Sequence, residues 1–210
     1  MVQVSMLHNP YKIVKMFEEE MAHYTGAPHA VSVNSCTNAI FLASKFCSVE
    51  GRPVHIPART YLSVPQALKQ AGATVRLDDR KWEGIYQIKP FPIYDAAKRL
   101  TSNMYKTATF MCLSFHIKKH LKIGKGGMIL TDDEDAAEWF RRARYEGRSE
   151  ISYHLDDIEE EGWNMYMTPE QATRGLMLMQ NYPAHAADLP EDPPYRDLRE
   201  FKIFKETEIY

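Results

Sequence analysis

Short apolar runs alternate with helix-periodic segments along most of this 210-residue chain. Strand-like runs occupy His29 to Asn34, Val54 to Pro57, Thr74 to Leu77, Phe91 to Tyr94, Thr109 to Phe115 and Gly127 to Leu130. Segments with apolar residues every three or four positions lie at Pro10 to Tyr24, Ser35 to about Val49, Ser63 to Gln70 and Asp132 to about Tyr145. Thr168-Pro169-Glu170-Gln171 is a capping box with proline at the first helical position, and its helix runs to about Gln180. Arg80 to Pro90 has no clear periodicity. Such alternation predicts an α/β fold, a mostly parallel sheet flanked by helices. Beyond Tyr182 the chain holds Pro183, Pro190, Pro193 and Pro194 among many charges. The expected division is a body over residues 1–181 and an extended, Pro-rich charged tail over 182–210, with a short helix or strand near Phe201 to Phe204.

Composition narrows the function classes. The length allows one sizeable core, and 44% apolar with 26% charged residues suits a soluble globular protein. A net charge of −2 gives no bulk attraction to nucleic acid or an anionic membrane. The apolar runs are too short to span a bilayer, and no signal-like apolar stretch is seen. Cys36, Cys47 and Cys112 form no CxxC pair, so reduced thiols in a cytoplasmic protein are expected. His116 and His120 lack a cysteine or acidic partner at metal-ligand spacing, so no metal site is expected. The GKGG turn is not a P-loop. Glu18–Glu20 and Glu159–Glu161 read as solvated faces.

In open α/β sheets, ligands bind at the carboxyl ends of the strands. Ser35-Cys36-Thr37, Thr60-Tyr61, Asp95 and Lys119 all follow predicted strands, so they converge at one edge. Asp95 closes the run FPIYD. About twenty residues later Lys119 follows FMCLSF and precedes a glycine-rich turn. Alone, Lys119 is one lysine of a basic turn and Asp95 a helix cap. Their order suits a site for pyridoxal phosphate, with the lysine forming a Schiff base and the aspartate keeping the ring nitrogen protonated. The turn at Ser35 to Thr37, where a strand becomes a helix, offers N–H groups to a phosphate. Cys36 reads as a small buried residue.

The segments FEEEMAHYTGAPHAVSVNSCTNAIFLA, IPARTYLSVPQALKQAGATVRLDD, PIYDAAKRL, ATFMCLSFHIKKHLKIGKGGMILTDDEDAAEWFRRARYEG and EGWNMYMTPEQATRGL resemble the DegT/DnrJ/EryC1/StrS family of pyridoxal-phosphate sugar aminotransferases. They cover roughly Phe17 to Gly175 in family order. The resemblance implies the large domain of the fold-type-I aminotransferases, with the small C-terminal domain largely missing. It implies a homodimer with shared active sites, an amino-acid donor and a keto-sugar acceptor, the sugar nucleotide-linked. It implies Lys119 as the Schiff-base lysine, in preference to Lys118, and Asp95 at the pyridine nitrogen. Tyr61 is implied to stack on the ring, Ser35, Cys36, Thr37 and Ser114 to contact the phosphate, and Asn164 to reach the phosphate of the neighbouring subunit.

The sequence departs from the family pattern at several of these positions. Cys36 stands where the family has glycine, Tyr94 where it has glutamate and Lys98 where it has a glutamine beside the cofactor oxygen. His120, Lys125 and Tyr166 replace an asparagine, a glutamate and an arginine. Against the family pattern, the N-terminal closing segment and most of the small domain are also missing. Two alternatives use the same residues: a pyridoxal-phosphate enzyme of another reaction or substrate class, and a non-catalytic partner subunit.

Overall fold

Helices take the segments with three- and four-residue apolar spacing. The computed structural model describes residues 9, 11–190 and 194–205. In order, the elements are α1 (Lys12–Thr25), β1 (His29–Val33), α2 (Cys36–Phe46), β2 (Pro53–Pro57), α3 (Ser63–Gln70), β3 (Thr74–Asp78), β4 (Tyr86–Ile88), β5 (Ile93–Asp95), β6 (Phe110–Ser114), β7 (Gly127–Thr131), α4 (Glu134–Ala143) and α5 (Pro169–Met179). The expected helix start at Pro10 lies outside the described residues. Gly26, at φ 74°, ends α1 in the left-handed region that glycine adopts without steric cost. The capping box at Thr168 forms as read, with the Thr168 side chain accepting from Gln171 N and the Gln171 side chain accepting from Thr168 N.

The α/β class is as expected, but the strand pairing differs. The main sheet has the order β1-β7-β6-β5-β4, and β2 and β3 form a separate parallel pair. Only β5 and β6 pair in parallel within the main sheet; the β1–β7, β6–β7 and β4–β5 pairs are antiparallel. An antiparallel bridge, His55 to Lys89, joins the smaller pair to the larger sheet. The strands β1, β2, β3, β5 and β6 therefore share one direction, while β4 and β7 are reversed. The cause lies in the connections. A parallel neighbour needs a crossover of a dozen or more residues, usually with a helix, to carry the chain back. Residues 89–92 make a tight turn between β4 and β5, and residues 115–126 link β6 to β7 without a helix.

Side-chain alternation sorts the core into two layers. Met111 and Leu113 of β6, with Met128 and Leu130 of β7, face Phe17 and Met21 of α1 and Ala172 and Met179 of α5. Phe110, Cys112 and Ile129 face the other way, toward Ile40 and Leu42 of α2, Leu68 of α3 and Phe140 of α4. Both faces of β7 are buried, which explains its unbroken apolar run. Each large side chain so buried contributes about 1.5–3 kcal/mol.

Glu18 corrects the sequence reading. It is buried, not part of a solvated face. Its Oε1 accepts from Ser32 N at 2.8 Å, from Ser32 Oγ at 2.7 Å and from Arg144 Nη1. Arg144 Nη1 also donates to Ser32 O at 2.6 Å, which ties α1, β1 and the end of α4 together. Charges leave water at this depth only when paired and hydrogen-bonded.

Candidate active site

The carboxyl ends of β1, β2, β5 and β6 open onto a cavity of about 840 Å³. Seven of the eight sequence-predicted site residues line it: Ser35, Cys36, Thr37, Tyr61, Asp95, Ser114 and Lys119. Asn164 does not. It is exposed beside Tyr145, and its Nδ2 donates to Glu146 Oε1 at 3.0 Å.

The first wall is built from regular elements. Ser35 caps α2, its Oγ accepting from Asn38 N at 3.1 Å. Thr37 Oγ1 lies 2.8 Å from Ser63 Oγ, which joins the starts of α2 and α3. Gly127 on β7 packs so closely here that a Cβ would fall on the Ser35 and Cys36 backbone. Cys36 directs its Sγ to the Cys112 carbonyl at 3.5 Å. Burial pushes its thiol well above the ordinary range, and the Asp95 charge adds to the effect. It is therefore a protonated thiol and a poor nucleophile.

Asp95 ends β5 and is 5% exposed. Its Oδ1 accepts from Ala97 N and its Oδ2 from the Tyr86 hydroxyl, both at 2.9 Å. Tyr86 Oη lies 2.7 Å from Thr60 Oγ1. Since the tyrosine proton goes to Asp95, the threonine hydroxyl donates to Tyr86. Burial raises the Asp95 pKa, opposed by the Ala97 N–H, the Tyr86 hydroxyl and the positive charges of Lys119 and Lys98. Tyr86 itself is raised well above its usual range by burial and by the neighbouring carboxylate. Lys119 sits on a turn after β6, its N donating to His116 O at 2.8 Å. It is half-buried, and its charge acts on both Asp95 and Cys36. Lys118 also lines the cavity but is exposed, which favours Lys119 as the inward lysine.

The second wall comes from the β3–β4 loop, the start of the β5–β6 loop and the C-terminal residues. Trp82, Lys98, Leu189, Pro190, Pro194, Tyr195 and Leu198 all line the cavity. Leu198 N donates to Ala58 O at 2.9 Å, and Leu198 and Phe204 are buried in the core. The expected short element near Phe201 to Phe204 is a pair of 3-10 turns, Leu198–Glu200 and Lys202–Phe204. Arg99 holds Asp188 through two bonds of 2.8 and 2.5 Å. The residues missed in the sequence are Tyr86, Trp82 and Tyr195. Tyr86 falls in the stretch without periodicity, and only the β4–β5 register, which sets it opposite Asp95, shows its role.

The spore coat polysaccharide biosynthesis protein SpsC of Bacillus subtilis is 28% identical over 217 residues, covering 78% of this chain and 55% of that protein. The GDP-perosamine synthase of Caulobacter vibrioides is 27% identical, covering 84% of this chain and 58% of its own length. The structure of Helicobacter pylori PseC, an aminotransferase involved in the biosynthesis of pseudoaminic acid, superposes with a TM-score of 0.67 at 16% identity, over 81% of this chain and 58% of that one. The chain thus spans little more than half the length of the proteins it matches. Two overlapping segments, residues 1–102 and 93–187, match the DegT/DnrJ/EryC1/StrS aminotransferase family, and the chain belongs to that family.

Proposed function

We propose that the cavity holds pyridoxal 5'-phosphate and that the protein moves an amino group from an amino-acid donor to a keto group on a nucleotide-linked sugar. The observation that carries this reading is the convergence of Lys119, Asp95 and the Ser35–Thr37 turn on one cavity. The residues fit the cofactor. A buried carboxylate whose charge is disfavoured by its surroundings is suited to a cationic ring nitrogen, and the start of an eleven-residue helix is suited to a phosphate. The names of the relatives support a sugar as acceptor.

When bound, the cofactor supplies an aldehyde that captures amines and a cationic ring that withdraws electron density. Lys119 Nζ takes the proton from the substrate carbon and returns it. Asp95 holds the proton at the ring nitrogen, and Tyr86 and Thr60 fix the orientation of its carboxylate. Ser35, Cys36, Thr37 and Ser114 bind the phosphate, and Tyr61 lies against the ring. Asn164 serves the cavity of a second copy in a homodimer, in keeping with its exposed position away from its own cavity. The body over residues 1–181 carries the cofactor, and the tail expected over 182–210 walls the substrate side through its described residues, Leu189, Pro190, Pro194, Tyr195 and Leu198 among them. We place the protein in the cytoplasm, on its three free cysteines. Among the described residues no helix is long and apolar enough to cross a membrane.

The test is a visible absorbance band on adding pyridoxal phosphate, its bleaching by borohydride, and mapping of the modified peptide to Lys119. Transamination of keto sugars with glutamate as donor follows. A protein that binds no cofactor sinks the reading and leaves the non-catalytic partner, for which Cys36 and Lys98 speak as departures from the family. Cofactor binding without keto-sugar turnover points to another substrate class.

A further inference from the structure

Lys98 is the unusual charge of the second wall. It lines the cavity yet is 5% exposed, whereas the cavity lysines Lys118 and Lys125 are exposed. The arginine of this wall, Arg196, has its side chain 65% exposed and pairs with Glu200 at 3.0 Å. Burying an ammonium costs several kcal/mol, roughly, unless the site repays it. Here the repayment includes two aromatic faces. Lys98 Nζ lies 5.3 Å from the Trp82 ring centroid and 5.4 Å from that of Tyr195, within cation–π range. The two rings stack on each other at 6.2 Å with 17° between their planes. Trp82 is fixed by its Nε1 donating to Arg59 O at 2.8 Å.

The Lys98 backbone is held as well. Leu189 N donates to its carbonyl at 2.9 Å, and His120 Nε2 lies 3.1 Å from the same oxygen. The ammonium is therefore presented on a rigid mount, in a desolvated wall, with its charge acting on Asp95 and Asp188. Side-chain ammonium groups of this kind bind oxyanions as point charges, and low dielectric strengthens the attraction.

We propose that Lys98, held against the Trp82 and Tyr195 rings, binds an oxyanion of the substrate in this cavity. In the aminotransferase reading, on which only the source of that oxyanion rests, it is either the carboxylate of the amino donor or a phosphate of the nucleotide-linked acceptor. Tyr195 is then a positioning residue, since it acts by holding Lys98.

The experiment is calorimetric titration of the 210-residue protein, with and without added pyridoxal phosphate, using two probes: glutarate for the donor carboxylate and UDP for the acceptor phosphate. The wild type binds at least one probe. Lys98→Gln weakens that probe about tenfold or more. Tyr195→Leu weakens it several-fold, and Tyr195→Phe, which keeps the ring face, binds as wild type. Loss confined to glutarate assigns Lys98 to the donor; loss confined to UDP assigns it to the acceptor. Equal affinity of Lys98→Gln and wild type for both probes overturns the proposal, as does a wild type that binds neither at millimolar concentration. Thermal melts and the cofactor band of each variant separate lost binding from lost fold. The titrations need no turnover, so a protein that fails to bind the cofactor removes the aminotransferase reading while the oxyanion test still stands.

Discussion

The two walls of the cavity are built differently. The first rests on strand ends and a helix start: Ser35, Asp95, Ser114 and Lys119 each end or follow a strand packed in the core. The second rests on two loops, after β3 and after β5, and on C-terminal residues tied to them and to Ala58 through a few bonds. The first wall is held by the global fold; the second, tied by fewer elements, is expected to open by local unfolding. Chemistry placed on the first wall gains precision, and recognition placed on the second gains freedom to change.

The largest effect should come from the first wall. Lys119→Ala removes the nucleophile, so turnover falls below detection and borohydride labels no peptide at that position. Lys118→Ala, on the same turn but exposed, leaves the label in place. A label that moves to Lys118 or Lys98 breaks the assignment.

Asp95→Asn separates chemistry from stability. Turnover should fall about two to four orders of magnitude, because the ring nitrogen loses its proton partner. The cofactor-free protein should become more stable, by roughly 1 kcal/mol. The sign follows from the raised pKa. A carboxyl group whose folded-state pKa lies above its unfolded value loses its favourable contribution as pH rises through the folded value, so the ionised group at neutral pH opposes folding. An asparagine accepts from Ala97 N through its oxygen and donates to Tyr86, whose hydroxyl turns to Thr60. Thermal melts against pH check this: the wild type gains stability on mild acidification, and the variant lacks that slope. A destabilised Asp95→Asn protein would mean that the hydrogen bonds outweigh the burial of charge.

This contrast also explains what could be read in the sequence. Helix spacing, the Thr168 capping box and the apolar run of β7 are local patterns, and they gave the elements within a few residues. Asp95 was legible because it ends a strand, and Lys119 because it follows one. Tyr86 was not, since β4 is three residues long and too short to show alternation. Glu18 looked like part of a solvated run because its partner, Arg144, is 126 residues away. The pairing of Trp82, Lys98 and Tyr195 joins three distant segments by side chains alone, and no periodicity records that.

Phe204→Ala tests whether the second wall unfolds alone. The side chain is 2% exposed and packs in the core on the α2–α4 side. Its loss should cost about 3–5 kcal/mol of docking. If the wall is an independent unit, limited proteolysis cuts within the described residues 194–205 while the melting of the body and its cofactor band stay near wild type. A large fall in global melting temperature would show instead that the C-terminal residues belong to the cooperative core.

The smallest effect concerns the anchor between Arg99 and Asp188. The Arg99 hydrogen bonds, and then its charge, hold the Asp188 carboxyl below the usual carboxylate range. A depressed pKa contributes stability above the unfolded value, about 3.9, and that contribution is lost as pH falls through the lower folded value. Protection of the C-terminal residues from protease should therefore be flat from neutral pH down to about 4 and weaken below it. The Arg99 side chain is 34% exposed, so screening limits the pair to roughly 1 kcal/mol or less. Asp188→Asn should remove this acid-dependent step, yet leave the packing of Leu198 and Phe204 to hold the wall. If the variant releases the wall at neutral pH, the ion pair rather than the buried apolar contact is what closes the substrate side of the cavity.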